Sequence, residues 1–393
     1  MRQAWRWYGP GDKVSLDDVR QAGATDIVNA LHELAPGAEW SKAAVAERKR
    51  LIENAPQGRS ALRWSVVESI PVPDDVKRLG AGASPSIDVW IASMEAVAAN
   101  GIKTICYNFM PLLDWTRTDL AWPLSSGARA LRFDQVRFAA FDLHILKRKG
   151  ASADYSEGVI QRARALVESL TEAEAAEITH NIAAGLPGAA SDSLDLQGLR
   201  DKLAAYAGIG AATLRQNLIA FLERVAPVAE ALGVKLTLHP DDPPRPLLGL
   251  ARIASTLADY ETLFDAVRSP ANGICFCTGS LGVSASNDLP GIARRLAPRI
   301  HFAHLRSTRR EADGSFYESD HLDGDFDMIA VLRELLAEDR RRPPDQKIPF
   351  RPDHGHQMLD DLNKTTNPGY SAIGRLKGLA ELRGAIMALE AGV

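Results

Sequence analysis

The sequence predicts an α/β fold, specifically a closed (β/α)₈ TIM barrel, and three observations support this. Eight short segments rich in β-branched and aromatic residues recur along the 393 residues. Most of these segments are separated by stretches with helical periodicity, and strand–helix alternation is typical of a parallel sheet with right-handed crossovers. Hydrophobic residues make up 46% of the chain, enough to bury a large core. Eight units favour a closed barrel over the alternative, an open doubly wound sheet.

The candidate strands end near Gly, Pro, Asp or His, residues that terminate strands or follow them. In chain order they are Trp5–Tyr8, Thr25–Asn29, Leu62–Glu68, Lys103–Phe109, Val234–His239, Gly273–Thr278, Arg299–Leu305 and Ile348–Asp353. Before the fifth strand, apolar residues spaced by three and four predict a helix. These residues are Leu218, Leu222, Val225, Ala229 and Leu232. Helices are also predicted at Ile87–Ala99, before the fourth strand, and at Ile329–Glu338, before the eighth.

The domain organisation predicted is a single TIM-barrel domain over residues 1–393, with a helical insertion at residues 110–216. This interval follows the fourth strand and is too long for an ordinary barrel connection. We expect helices at Leu131–Lys147 and Tyr155–Ala184 within it. Two roles stay open for the insertion, since it could close over a site as a lid or mediate contact with a second subunit.

Composition excludes several classes of function. The chain has 46 basic and 50 acidic residues, a net charge of −4, so it lacks the basic excess typical of proteins that bind nucleic acid or anionic membranes. The N-terminus shows no signal-peptide pattern, and no apolar run approaches the roughly 18 residues of a membrane span. Three cysteines are too few for a disulfide framework. We therefore expect a cytoplasmic enzyme that acts on a small molecule.

The last four predicted strands each end in a residue able to bind a transition metal. In a parallel barrel the C-terminal strand ends lie on one face, where active sites are built. Two imidazoles, a thiolate and a carboxylate would therefore converge on one centre, and Mn²⁺, Fe²⁺ and Zn²⁺ are all admissible by ligand type. The four residues are His239, Cys277, His304 and Asp353.

Each of these residues has a simpler alternative explanation. A single His after a strand is more often a satisfied polar residue than a ligand, and a Cys is often a small buried hydrophobe. Cys275 and Cys277 point the same way along a strand, whereas His301 and His304 point to opposite faces. His304 lies nearer the strand end and is the better candidate. The prediction depends on the coincidence of four strand ends.

The loops beside these positions carry groups suited to proton transfer and to binding oxygen-rich substrates. Asp241 and Asp242 lie in the Pro-rich segment HPDDPPRP, Arg306 follows His304, and His354 follows Asp353. An ion pair at the rim of the site is the alternative for Asp242. CTGSLG lacks the Lys of a phosphate-binding P-loop and the context of a serine nucleophile.

The motifs HPDDPP, CFCTGSLG, FAHLR and RPDHGHQMLDD, followed by KTTNPGYSAIGRLKGLAEL, resemble those of the mannonate dehydratase family. RWYGP and IKTICYNFMPLLDWTRTDL extend the resemblance over nearly the whole chain. It implies a TIM barrel related to the xylose-isomerase-like group and a Mn²⁺- or Fe²⁺-dependent hydro-lyase. The implied reaction removes water from D-mannonate, a sugar acid, to give 2-dehydro-3-deoxy-D-gluconate in hexuronate (glucuronate) catabolism.

The resemblance also assigns roles to single residues. It places the metal ligands on the same four strand-end residues, proton transfer on His354 and Tyr370, and substrate contact on Arg306. Which of His354 and Tyr370 is the acid and which the base stays open. One departure is visible, because Ser307 stands where the family commonly has Asn. We expect a homo-oligomer, either a dimer or a tetramer.

Three other functions compete with this one. A metal-dependent sugar or uronate isomerase on the same barrel would rely on carboxylate-rich coordination, and the Cys277 thiolate argues against it. A non-catalytic sugar-binding or structural metalloprotein would fill every coordination position with protein ligands. A nucleic-acid endonuclease of related architecture is disfavoured by the net charge of −4.

Overall fold

The computed structural model of the protein describes residues 1–183 and 195–392. Its strands are β1 (Arg2–Arg6), β2 (Asp26–Asn29), β3 (Arg63–Glu68), β4 (Thr104–Tyr107), β5 (Asp119–Pro123), β6 (Arg129–Phe133), β7 (Lys235–Leu238), β8 (Asn272–Cys277), β9 (Ile300–His304), β10 (Ser307–Arg310), β11 (Phe316–Ser319) and β12 (Pro349–Arg351). Eight of them form a closed parallel barrel in the order β1–β12–β9–β8–β7–β4–β3–β2. Each overlaps one predicted strand, so the (β/α)₈ prediction is confirmed. Only β1 is displaced noticeably, beginning three residues before the predicted start.

Helices surround the barrel. They are α1 (Leu16–Gln21), α2 (Lys42–Glu53), α3 (Asp74–Arg78), α4 (Ala83–Ala99), α5 (Gln135–Ala140), α6 (Glu157–Ser169), α7 (Glu172–Ala183), α8 (Leu196–Ala204), α9 (Ala211–Ala231), α10 (Leu257–Ala266), α11 (Thr278–Gly282), α12 (Leu289–Leu296), α13 (Met328–Arg341) and α14 (Ala372–Ala391). The predicted helices before the fourth, fifth and eighth strands are confirmed as α4, α9 and α13. Asp327 caps the start of α13 by accepting from the Ala330 N–H at 2.9 Å.

The inside of the barrel follows the two-residue period of its strands. Alternate side chains point inward and form one buried layer across the barrel, which we call the interior layer. Its members are Ala4, Val28, Val66, Cys106, Cys275 and Phe302. Two residues further along a strand, the next inward position reaches the C-terminal face. The interior layer is therefore the floor beneath any site built at that face.

The stretch between β4 and β7 contains strands β5 and β6 as well as helices, so the description of residues 110–216 as a helical insertion is incomplete. The helix predicted at Leu131–Lys147 starts instead as β6, because Phe133 pairs with Phe316 of β11, a partner distant in sequence. A helix follows from Gln135, and the predicted helix Tyr155–Ala184 is divided into α6 and α7. Residues 184–194, including the predicted end at Ala184, lie outside the described residues.

A second, antiparallel sheet joins this stretch to the segment after β9. Its strand order is β10–β11–β6–β5. The β5–β6 hairpin of the insertion therefore pairs with the β10–β11 hairpin, which follows β9 in the chain. Phe133 and Phe316 stack in this sheet with their ring centroids 5.5 Å apart and their planes 8° from parallel. Both rings are fully buried. Glu318, two residues after Phe316, is thereby carried to the C-terminal face of the barrel.

None of the described helices combines the length and apolarity needed to cross a membrane.

Candidate active site

The four strand-end residues predicted as metal ligands come together at the C-terminal face. His239 Nε2 lies 3.1 Å from His304 Nδ1. Asp353 Oδ2 lies 3.8 Å from His304 Nδ1 and 3.9 Å from Cys277 Sγ. One donor atom from each of His239, Cys277 and His304 lies within 4.8 Å of the other two. Donors bound at about 2.0–2.3 Å from one ion lie about 3–4 Å from each other, so these separations fit a shared divalent ion.

The orientation of the two imidazoles also fits a cation between them. His239 Nδ1 lies 2.7 Å from the carbonyl oxygen of Pro240, which makes that nitrogen the N–H donor and leaves Nε2 with its lone pair. His304 Nε2 lies 3.4 Å from Glu68 Oε2. Placing the proton of His304 on Nε2 therefore directs its Nδ1 lone pair at His239. In that tautomer two lone pairs face each other at 3.1 Å, an arrangement that a cation bound to both nitrogens stabilises.

Arg306 lies at the centre of a buried group of carboxylates. Its Nε is 2.5 Å from Asp353 Oδ2, and its Nη1 is 2.5 Å from Glu318 Oε1. Its Nη2 donates to Asp242 Oδ2. Arg117 binds two of the same acids, at 2.7 Å from Asp242 Oδ1 and 2.8 Å from Glu318 Oε1. Asp242 is therefore buried inside the site, which corrects the alternative of an ion pair at the rim.

A second group of ion pairs borders the candidate ligands from the other side. Glu68, at the end of β3, accepts from Arg351 Nη2 at 2.8 Å and from Arg6 Nη1 at 2.9 Å. Arg351 also donates to Asp353 Oδ1. Arg351 thus links Glu68 to Asp353, and Arg306 links Asp353 to Glu318. All of these side chains are buried.

These contacts keep the acids ionised in spite of their burial. Burial raises the pKa of Asp353, but Arg351 leads a group of neighbouring charges that together hold it well below its usual range. The same balance of burial against Arg306, His354 and Arg117 sets the pKa of Glu318 at about 2. Burial lowers the pKa of Arg306, yet Glu318 and the other surrounding acids raise it well above its usual value. The cluster therefore carries full charges at neutral pH.

His354 and Tyr370 form an aromatic wall of the site. Their ring centroids lie 5.2 Å apart in an edge-to-face arrangement. Glu318 Oε1 lies 3.1 Å from His354 Nδ1, so the carboxylate holds an N–H there and leaves Nε2 as the basic nitrogen. Burial lowers the pKa of His354, which favours the neutral ring at neutral pH. The Tyr370 hydroxyl is buried and has no hydrogen-bond partner among the residues that the structure describes.

The site opens to a cavity of about 20 Å³. Cys277 and His304 are fully buried behind its floor. The lining residues are Arg6, Glu68, Asn108, Asp114, Trp115, His239, Asp242, Arg306, Arg351, Asp353, His354 and Tyr370. Charged, imidazole and phenol groups thus dominate a cavity that suits a small, polar, oxygen-rich molecule.

Comparison with known proteins shows the family of the chain. The sequence model of the D-mannonate dehydratase (UxuA) family matches residues 1–393. The mannonate dehydratase of Brucella canis is 62% identical over 392 residues, covering 100% of this chain and 98% of that protein. The chain belongs to the D-mannonate dehydratase family. The mannonate dehydratase of Chromohalobacter salexigens is 54% identical over 393 residues, with 99% of each chain covered.

Solved structures extend the comparison to the fold. The crystal structure of mannonate dehydratase from Streptococcus suis serotype 2 matches with a TM-score of 0.76 and 30% identity, covering 100% of this chain and 96% of that one. A xylose isomerase domain protein from Planctomyces limnophilus matches with a TM-score of 0.50 and 10% identity, covering 100% and 98%. The second likeness concerns the fold alone, and it agrees with a xylose-isomerase-like barrel for this member of the dehydratase family.

In this member of the D-mannonate dehydratase family, all seven predicted site residues lie together at the C-terminal face. His301 faces away from them, with its Nε2 3.2 Å from the Pro270 carbonyl oxygen, as its spacing from His304 predicts. Asp241 instead anchors its own loop by accepting from the Ala254 N–H at 2.7 Å. Ser307, the departure from the family pattern, donates its hydroxyl to the His321 carbonyl oxygen at 2.7 Å.

Several charged residues of the site were missed by the sequence analysis. Glu68 ends the third predicted strand, so the reasoning that selected the ligands of the last four strands could also have found it. Arg351 lies two residues before Asp353 and shares its face. Arg117 and Glu318 gave no such signal, because they reach the site only through the second sheet.

Proposed function

We propose that the protein is a hydro-lyase that converts D-mannonate to 2-dehydro-3-deoxy-D-gluconate and water. The observation that carries the proposal is the cluster of His239, Cys277 and His304 donor atoms beside the His354–Tyr370 pair. The 62% identity to a mannonate dehydratase over the whole chain supports the same substrate. Hexuronate catabolism in the cytoplasm and a homo-oligomeric state, dimer or tetramer, belong to the same proposal.

The metal in this proposal is Mn²⁺ or Fe²⁺, held by His239, Cys277, His304 and Asp353. Mixed nitrogen, sulfur and oxygen donors suit an ion of intermediate softness. Such an ion acts as a Lewis acid towards the carboxylate and hydroxyl oxygens of a sugar acid. Arg306 and Arg351 orient Asp353 from two sides, and Pro240 orients the His239 ring.

The charge of the site favours a substrate with one negative charge. The buried ionic groups of the two networks balance, with four guanidinium groups and four carboxylates. They are Arg6, Arg117, Arg306 and Arg351 with Glu68, Asp242, Glu318 and Asp353. Adding a divalent ion and the Cys277 thiolate leaves one positive charge. An aldonate carboxylate neutralises that charge, whereas a neutral aldose does not, and this favours a sugar acid over an aldose as the substrate.

The proton steps fall to His354 and Tyr370. Neutral His354 takes the C2 proton of the substrate on Nε2, since Glu318 holds its Nδ1–H. The C2–H electron pair forms a C2–C3 double bond, and the C3–O bond breaks. The Tyr370 hydroxyl, which lacks a partner among the described residues, donates its proton to the departing hydroxide, which leaves as water. The resulting enol loses its O2 proton and gains one at C3, giving the 2-keto acid.

Arg306 contributes by positioning and by contact. Its guanidinium binds Asp242, Glu318 and Asp353 at once, and it also lines the cavity. It therefore fixes both the carboxylate proposed as a metal ligand and the one that orients His354. We propose that its cavity-facing edge contacts the substrate.

A product assay on chelator-stripped protein tests this function. The protein is incubated with D-mannonate alone, then with Mn²⁺, and separately with Fe²⁺ under anaerobic conditions. We expect a 2-keto-3-deoxy acid to appear only with added metal. Absence of product from folded, metal-loaded protein would contradict the proposal, and turnover of aldoses or uronates without loss of water would support the isomerase instead.

A further inference from the structure

A second group of potential metal ligands lies directly beneath the candidate active site, formed by two cysteines of the interior layer and one histidine from the C-terminal face above it. Cys106 of β4, Cys275 of β8 and His304 of β9 offer donor atoms that all lie within 4.8 Å of one another. Their side chains are buried, with at most 1% of the surface of any of them exposed. We propose that this cluster is a separate site for a thiophilic divalent ion, of the class of Zn²⁺ or Cd²⁺.

The donors select the class of ion. Two thiolates and one imidazole form a soft set, which favours Zn²⁺ or Cd²⁺ over Mn²⁺, an ion that prefers oxygen. A zinc ion bound at about 2.3 Å from sulfur and 2.0 Å from nitrogen holds its ligands about 3.3–3.8 Å apart. Ligand atoms within 4.8 Å of one another reach that arrangement by small side-chain movements.

The surroundings select the charge of the ion. The other members of the interior layer are apolar: Ala4, Val28, Val66 and Phe302. The Glu68 carboxylate, 3.4 Å from His304 Nε2, is already paired with Arg6 and Arg351. Binding a divalent ion breaks both S–H bonds, forms two metal–sulfur bonds and releases two protons to solvent. The resulting complex is neutral, and a neutral complex is the form that an apolar environment disfavours least. A monovalent ion with two thiolates would leave an uncompensated negative charge.

His304 supplies a nitrogen for this purpose. Its Nδ1 faces His239 Nε2 at 3.1 Å, and its buried Nε2 lies 3.4 Å from Glu68 Oε2 without a hydrogen bond of good geometry to any described residue. The common alternative, in which buried cysteines serve only as small hydrophobes, accounts for the two thiols. It does not account for an imidazole nitrogen that lacks a well-formed hydrogen bond on the residue that completes the cluster. An ion bound at Nε2 requires the His304 proton on Nδ1, which then donates to His239 Nε2, whereas an ion shared with His239 requires that proton on Nε2. The two ions therefore compete for the tautomer of this ring.

Cadmium binding to a variant that keeps only these two thiols tests the proposal. The chain has three cysteines, so Cys277→Ala leaves Cys106 and Cys275 alone. Chelator-stripped C277A is titrated with Cd²⁺ while ultraviolet absorption from cadmium–thiolate bonds is recorded. We expect one Cd²⁺ per chain, with the absorption of two such bonds and two protons released. The control is the same protein with all three cysteines replaced by Ala, which should show no such absorption.

An absorption of C277A no greater than that of the control would overturn the proposal. If C277A fails to fold, as judged by circular dichroism, the wild type and the C106A/C275A variant are compared. The wild type should then exceed C106A/C275A by the absorption of two thiolates, and equal absorption would overturn the proposal. Neither comparison measures turnover, so the result is independent of the proposed dehydration of D-mannonate.

Discussion

Cys277 is the residue whose replacement tests the proposed catalytic metal site most specifically. Its Sγ lies 3.9 Å from Asp353 Oδ2 and within 4.8 Å of the two His donors. We expect Cys277→Ser to weaken Mn²⁺ binding by more than the roughly 10–100-fold typical of losing a group that only supports a ligand. Metal affinity is measured by titration of chelator-stripped protein. Cys275→Ala is the matched control, because Cys275 lies one layer lower and Mn²⁺ does not favour the thiol pair of Cys106 and Cys275. Unchanged metal affinity and turnover rate in Cys277→Ser would remove Cys277 from the ligand set.

Tyr370 is predicted to act in proton transfer and not in substrate binding. Tyr370→Phe removes only the hydroxyl, which has no partner among the described residues. We expect kcat on D-mannonate to fall about 100-fold or more, as is typical of losing a general acid, with KM changed little. Tyr107→Phe is the control, because Tyr107 is buried in the core outside the cavity. Near-wild-type kcat in Tyr370→Phe would exclude it from the acid–base pair.

Individual residues of the site could be predicted from the sequence only where a chemically suitable side chain lies at the end of a predicted strand. His239, Cys277, His304 and Asp353 each combine a ligand-type side chain with a strand end. Arg117 does not, because Arg in a charged segment is normally exposed. The burial of Arg117 depends on two acids that are distant in sequence, Asp242 and Glu318. A local sequence pattern does not predict such partners.

At the level of elements, the second sheet is predicted to support catalysis by positioning β11. Phe316 stacks on Phe133, and Glu318 of the same strand holds Arg306 and His354. Replacing Phe316 by Ala leaves a cavity, and we expect the free energy of unfolding to fall by about 3–5 kcal/mol. We also expect kcat to fall, because Glu318 is no longer held at the barrel mouth. Chemical unfolding and steady-state kinetics measure the two effects.

The control for this prediction is Tyr317→Phe. Tyr317 lies next to Phe316 but is only half-buried, on the other face of β11. We expect it to change stability and kcat little. If Phe316→Ala loses stability but keeps the wild-type kcat at a temperature where it is folded, the second sheet does not position the catalytic groups.

Barrel strands were easier to predict than the strands of the second sheet for a physical reason. A barrel strand is buried on both faces, so its sequence is apolar over several residues, as in Gly273–Thr278. The strands of the second sheet are short and carry charges, as in Arg129–Phe133 and Ser307–Arg310. Their pairing is fixed by partners distant in sequence, which a local pattern does not reveal.

For the whole molecule, buried neutral histidines predict a loss of stability in mild acid. Burial, aided by Lys235 and Arg342, lowers the pKa of His301 to about 3. The unfolded chain takes up this proton near pH 6.5 and the folded chain does not. The stabilisation is therefore complete above pH 6.5 and is lost as pH falls towards 3, with a slope approaching about 1.4 kcal/mol per pH unit for this residue. His32 and His321, whose pKa values are lowered to about 3 and about 4, act in the same direction.

His301→Gln isolates this effect, because Gln keeps a donor for the Pro270 carbonyl oxygen and does not titrate. We expect the free energy of unfolding of the variant to depend less steeply on pH between 7 and 5 than that of the wild type. Urea unfolding at several pH values measures the slopes. Equal slopes would mean that His301 does not contribute to the acid sensitivity.

The central claim, that the protein removes water from D-mannonate, is tested most directly by the mass of the product formed in D₂O. Metal-loaded protein is incubated with D-mannonate in D₂O, and the product is returned to H₂O and analysed by mass spectrometry. We predict a product that has lost one water and carries one carbon-bound deuteron, at C3. A product with the same elemental composition as the substrate would indicate isomerisation, and unchanged D-mannonate would mean a different substrate; either result would contradict the account.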